Sequence, residues 1–211
     1  MPDALRAGVI LSALFAFIAL TVLVLKTLSF GKRPFYSKEA GSKVSGVVYA
    51  FGKGMMPWEK ESARKHPLTY FAGVVYHAGI FAALVSLFCD VFSVSPPRAL
   101  LVVLRVALVA GSACGLSLLL KRVFSRKLRT LSCPDDYAAN VIVTLFVILA
   151  AVRAWRPALA ASDERLFYAV SILMFLYVPV GKIRHCFFLF YSRVLLGIFF
   201  GRRSALPMKR S

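Results

Sequence analysis

The sequence predicts an all-α fold: a polytopic membrane protein built as a five-helix transmembrane bundle, with its N-terminus outside and its C-terminus cytoplasmic. Three observations carry that expectation. Of 211 residues, 59% are hydrophobic and 17% charged, with a mean hydropathy of +0.74. Apolar runs recur at lengths close to the roughly 20 residues a helix needs to cross a hydrocarbon core. The charges fall between the runs, and the basic ones crowd into alternate connections.

The first run, residues 7–26, is read as a retained span. It is longer than the apolar core of a signal peptide, and KTLSFGKRPF follows it without a small-x-small cleavage site. The longest polar stretch comes next, GKRPFYSKEAGSKVSGVVYAFGKGMMPWEKESARKHP. It exceeds a tight turn, and its apolar patch VSGVVYAFG is expected to lie along the membrane surface or under a partner. The second and third runs, residues 67–90 and 99–120, are joined by SVSPPR, short enough to make them antiparallel neighbours. The third contains Arg105. The next connection, KRVFSRKLRTLSCPDDY, ends in Ser132, Asp135 and Asp136, which suit a helix N-terminus whose free N–H groups need acceptors. A fourth run covers 137–153 and a fifth 166–185, with RAWRPALAASDER between them. Beyond the fifth, residues 186–201 either extend that helix into the cytoplasm or lie at the interface; the sequence leaves both open. The whole is read as a single membrane domain.

A formal charge of +18 raises nucleic acid as a partner, but the distribution argues against it. Nine Lys/Arg lie in 26–65, five in 121–129 and seven in 182–210, which is 21 of the 27. In a five-span chain these three segments share one side, and basic connections mark that side as cytoplasmic. Anionic lipid head groups and acidic partner subunits are the partners such a face suits. The four cysteines, Cys89, Cys114, Cys133 and Cys186, have no ligand spacing and no evident disulfide framework. At the outer side Asp90, Arg98 and Arg105 form a candidate polar cluster, with Arg105 expected to snorkel or to bind a helix.

Three histidines remain. His77 sits within VVYHAGIFAALVSLF, where an unsatisfied imidazole costs several kcal/mol in hydrocarbon, so it needs a partner. Haem iron, ligated from two helices by His77 and His185, is one. A hydrogen bond to a neighbouring helix, through Ser or a backbone carbonyl, is another. Gly73 and Gly79 would let a flat macrocycle approach the helix, and Tyr76, Phe187 and Phe188 would pack against it. Arg64, Lys121, Arg122, Lys182 and Arg184 at the same membrane edge would neutralise propionates. His66 is an alternative ligand. Eleven residues before His77, it would lie ~16 Å along the same helix and only ~20° around it. With three histidines, one bis-histidine haem is the most the chain can hold.

The stretches VVYHAGIF, LLLKRVFSRKLR, DDYAANVIVTLFVIL and PVGKIRH, in that order and spacing, resemble the membrane cytochrome b (gamma) subunit of respiratory nitrate reductase and its relatives in heterodisulfide-reductase-like redox complexes. The resemblance covers most of the chain after residue 65. It implies a five-helix subunit in the cytoplasmic membrane of a prokaryote. It also implies one haem b on His77 and His185, quinone as exchangeable substrate, and an iron–sulfur or flavin partner on the cytoplasmic side. The family's second, outer haem would take ligands at Leu87 and Phe167, neither of which can bind iron, so a mono-haem variant is expected. A cofactor-free membrane anchor or small transporter subunit is the alternative reading.

Overall fold

The computed structural model describes residues 2–31, 36, 38–155 and 161–205. Lys32, Arg33, Lys209 and Arg210, counted above among the basic connections, lie outside them. The described residues form helices and turns, with no strand among them. In chain order the helices are α1 (Pro2–Ser29), α2 (Lys43–Phe51), α3 (Glu61–Lys65), α4 (Pro67–Val91), α5 (Arg98–Phe124), α6 (Arg126–Leu131), α7 (Pro134–Trp155), α8 (Ala161–Tyr177) and α9 (His185–Arg202).

Local chemistry sets many of these boundaries. Pro67 and Pro134 each open a helix, where the missing N–H costs nothing. Asp135 and Asp136 in the first turn of α7, and Lys121 and Arg122 in the last turn of α5, complement the helix dipoles. Ser42 caps α2 by accepting the Ser45 N–H at 3.3 Å.

Five stretches are long and apolar enough to cross a membrane: Asp3–Ser29, Pro67–Val91, Arg98–Phe124, Pro134–Trp155 and Lys182–Arg202. The fifth differs from the run expected at 166–185, which is not one helix. α8 ends at Tyr177, because Pro179 has no N–H to continue the ladder and Gly181 permits a turn. The N–H groups of Val180 and Gly181 both return to the Tyr177 carbonyl, at 3.1 and 2.9 Å. A single 3₁₀ turn, Lys182–Arg184, then leads into α9. Residues 186–201 therefore belong to a separate helix rather than to an extension of the fifth.

The chain divides into two compact units. The first comprises Met1–Ala19 and Leu68–Ile183, the second Leu20–Pro67 and Arg184–Ser211.

In the first unit, Leu108, Phe146, Val147, Phe167, Tyr168 and Ser171 are fully buried. The rings of Phe146 on α7 and Phe167 on α8 stack at 5.5 Å and 7°. Helices in lipid gain little from hydrophobic burial against each other, so close packing of small residues and hydrogen bonds hold them together. Gly79 on α4 and Gly111 on α5 supply the first: a Cβ on either would lie 2.6 Å from the other's Cα. Tyr76 supplies the second. Its ring lies over Gly115 of α5, and its hydroxyl meets Thr144 Oγ1 of α7 at 2.8 Å.

The second unit is built on α2 and α9, which run antiparallel. Gly41 faces Gly201, and Gly46 faces Gly197 and Gly201, so closely that a Cβ on Gly46 would clash with the Gly197 carbonyl oxygen. The pair continues through Phe51 and Phe190, stacked at 6.2 Å. Ala40 N–H donates to the Arg202 carbonyl at 2.8 Å, and Glu39 pairs with Arg202 at 2.9 Å. Beyond α2, the Tyr49 hydroxyl donates to Glu59 at 2.9 Å, and Lys53 bridges the same carboxylate at 3.3 Å.

Candidate functional site

His77 lies on an exposed face of α4, and its Nδ1 stands 2.7 Å from the Gly73 carbonyl one turn earlier. A carbonyl only accepts, so Nδ1 carries the proton and Nε2 keeps the lone pair. That is the tautomer, held by a second hydrogen bond, that a metal-ligating imidazole adopts. The Gly73 carbonyl belongs to His77's own helix, α4.

The two glycines assigned to a macrocycle separate. Gly73 shares the face of His77, and a Cβ there would meet nothing within 4 Å. Gly79 is instead consumed by the crossing with Gly111. Tyr76 turns into the core of the first unit, with its ring edge-on to His77 at 6.4 Å.

His185 opens α9 and is exposed, as is Arg184 before it; Phe187 and Phe188 are half-buried on the same helix. His66 does not continue α4 downward. It caps α3 with φ −135° and ψ 60°, a conformation outside the helical region, where the residue before a proline is driven. The helical count that put His66 and His77 on one face therefore fails, because no helix joins them.

The basic residues gather around Asp136. Arg122 Nη1 lies 3.6 Å from Asp136 Oδ1 and donates to Ser132 Oγ at 2.8 Å, while Lys182 Nζ approaches Asp136 Oδ2 at 2.7 Å. The same oxygen accepts the Cys133 N–H at 3.0 Å, reaching back to the residue before α7. Lys121 hydrogen-bonds Thr69 in the first turn of α4, and the Tyr177 hydroxyl at the end of α8 meets Asp135. The starts of α4 and α7 and the ends of α5 and α8 thus meet at one end of the first unit. Arg64 stands exposed in the last turn of α3.

At the other end the sequence grouped Asp90 with Arg98 and Arg105, and the structure pairs it differently. Asp90 binds Arg153 of α7 at 2.8 Å, and the guanidinium lies 5.5 Å from the Phe167 ring and 5.9 Å from that of Tyr168. Arg105 donates from Nε to the Ala154 carbonyl at 2.8 Å and lies over Trp155 at 5.3 Å. It satisfies a carbonyl left open at the end of α7. Arg6 reaches Ser93 at 3.3 Å and Glu164 at 4.0 Å. Arg153 was missed as a partner because 63 residues separate it from Asp90. Leu87 and Phe167 are both buried apolar side chains of this core.

Helices of this length and composition, with charge collected at the two ends of a packed unit, are the make-up of an α-helical multi-pass membrane protein. No family model, curated protein or solved structure matches the chain.

Proposed function

We propose that the chain is the haem b membrane subunit of a respiratory redox complex, passing electrons between the quinone pool and an iron–sulfur or flavin partner on the cytoplasmic side. The observation that carries this reading is His77: a membrane-helix histidine with Nδ1 bonded to Gly73 and with open space at Gly73 on its own face. The donor chemistry fits a haem iron, which takes the imidazole lone pair of Nε2.

In this reading His77 and His185 hold one bis-histidine haem b. His77 lies in the first unit and His185 in the second, and their pairing is what the resemblance to the nitrate reductase gamma family implies. The haem, when bound, supplies one-electron transfer. The chain's residues orient it. Gly73 leaves room for the ring, and the Gly73 carbonyl fixes the His77 tautomer. Arg64 and Arg184 offer charge for propionates. Arg122 and Lys182 already share Asp136, so their first effect is to tie α5, α7 and the end of α8 together.

Five crossings, α1, α4, α5, α7 and α8, would place the N-terminus outside and the basic connections in the cytoplasm, as in the inner membrane of a prokaryote. The basic face there suits an acidic or neutral partner, with rim charges governing association more than final affinity.

Haem quantitation and a reduced-minus-oxidised spectrum of the purified chain test the proposal. One low-spin haem b per chain is expected, lost in His77→Ala and in His185→Ala but retained in His66→Ala. Two haems per chain, or a bis-histidine spectrum surviving His77→Ala, would overturn it. Absence of any haem would favour the membrane-anchor or transporter reading.

A further inference from the structure

α9 is long and apolar enough to cross a membrane. The contacts at its two ends argue that it does not. This inference rests on reading α1, α4, α5, α7 and α8 as crossing helices, and it is independent of the haem.

The side from which α9 departs follows from the first unit. α8 packs antiparallel to α7, with Phe167 on Phe146 and Tyr177 at Asp135. Glu164 near its start pairs with Arg6, whose partner Ser93 follows α4, while Tyr177 at its end meets Asp135 at the start of α7. At 17 residues, or ~25 Å, α8 is long enough to cross beside α7. Lys182 then returns to Asp136, at the same end as Arg122 of α5 and Thr69 of α4. His185 follows Lys182 by three residues, so α9 starts on the side where α4 begins.

The side at which α9 ends follows from the second unit. The Arg202 carbonyl accepts the Ala40 N–H, Arg202 pairs with Glu39, and Gly201 packs on Gly46. Residues 39–46 belong to the connection that leads into α4. The nine-residue α2, ~14 Å long, is too short to carry that connection across a bilayer. Both ends of α9 are therefore on one side.

We infer that α9 lies along the basic surface of the membrane, paired with α2, and that the occupant of the pair's open face is the anionic headgroup and upper acyl layer. On α2, Val44, Val48 and Phe51 stand at i, i+4 and i+7, opposite the buried Gly46 and Ala50, and are 72%, 66% and 40% exposed. Phe190 of α9 extends the patch beside Phe51. Lys43 and Lys53 flank α2 and pair with Glu39 and Glu59, and residues 38–65 still hold six basic side chains against three acidic ones, a balance that suits an anionic headgroup layer. The connection is tethered at both ends, to α1 and to α4, which raises the local concentration of the patch at the surface.

The test uses the full chain in nanodiscs and sealed vesicles, with its four native cysteines replaced by serine. Cysteines introduced at Ser125 and Ser204 are expected to label from the same side. A spin label on Val48→Cys is expected to be more accessible to oxygen than to an aqueous nickel chelate, and to shift toward water when phosphatidylglycerol is replaced by phosphatidylcholine. Labelling of Ser204→Cys from the side opposite Ser125→Cys would show that α9 crosses, and would overturn the inference. Same-side labelling with a water-exposed Val48 label would overturn the lipid contact and leave a protein partner as the occupant. Indifference to lipid charge would overturn the electrostatic part.

Discussion

Gly79 and Gly73 lie on one helix, six residues apart, and alanine at the two positions is expected to act in opposite directions. A Cβ on Gly79 would lie 2.6 Å from Gly111 Cα and 3.1 Å from the Ala107 carbonyl oxygen. Ordinary contact begins at 3.4 Å, so the shortfall is 0.8 Å against backbone atoms that no rotamer change can move. α4 and α5 must part, at the cost typical of overpacking, about 1–3 kcal/mol. A Cβ on Gly73 meets nothing within 4 Å, so Gly73→Ala is expected to gain helix propensity of up to ~1 kcal/mol. Reversible unfolding of the two variants in detergent, followed by circular dichroism, reads the difference directly. Both changes carry the same propensity gain, so a Gly79→Ala protein as stable as Gly73→Ala would refute the close crossing. The open space at Gly73 has its own consequence under the haem proposal. Gly73→Leu should keep the fold and lose the haem spectrum, whereas normal haem content in Gly73→Leu would remove Gly73 from the site.

Other expectations follow from individual contacts. Asp90→Ala strands the Arg153 guanidinium against Phe167 and Tyr168, and should destabilise the first unit by about 1–3 kcal/mol. Asp90→Ala/Arg153→Ala should cost less than the two single changes together, and strict additivity would show the pair to be energetically idle. In the second unit, the Tyr49 hydroxyl and then Lys53 hold the Glu59 carboxylate below the usual range. A depressed folded value means the contribution is present above the ordinary carboxylate pKa and is lost as pH falls through the folded one. Amide protection across residues 43–59, corrected for intrinsic exchange, should therefore drop on acidification in the parent but not in Glu59→Gln. Equal profiles in the two proteins would deny Glu59 that role.

Most of the helical order was legible because hydropathy and charge are read over long windows. The runs at 67–90 and 99–120 became α4 and α5 almost unchanged, and the fourth run grew to Pro134 and Trp155 once its acidic first turn was included. Features set by a single backbone position are less legible. The PVG within the fifth run carried the break between α8 and α9, yet the apolar residues around it outweighed a single proline in the count. A continuous helix through Pro67 would put His66 on the His77 face, but a proline makes the residue before it a poor helix member, and His66 ends α3 instead. Partner choice was illegible for a different reason. Nothing local distinguishes Arg153 from Arg98 or Arg105 as the mate of Asp90, and only the packing of α4 against α7 decides it.

The two glycine sets show how one residue type serves opposite ends in the same chain. Gly79, Gly111, Gly46, Gly197 and Gly201 are each met by backbone closer than a methyl group allows, so their purpose is spent on helix contact. Gly73 alone among the helical glycines of α4 and α5 meets nothing. A glycine inside an apolar helix forfeits ~1 kcal/mol of helix propensity relative to alanine, and a close crossing offsets that loss for the others. At Gly73 no such contact exists among the described residues, while its carbonyl fixes the tautomer of His77. A space left open beside an oriented imidazole is what a planar ligand on that face would require. That places the case for a cofactor on the coincidence of Gly73 and His77 one turn apart, rather than on the histidine alone.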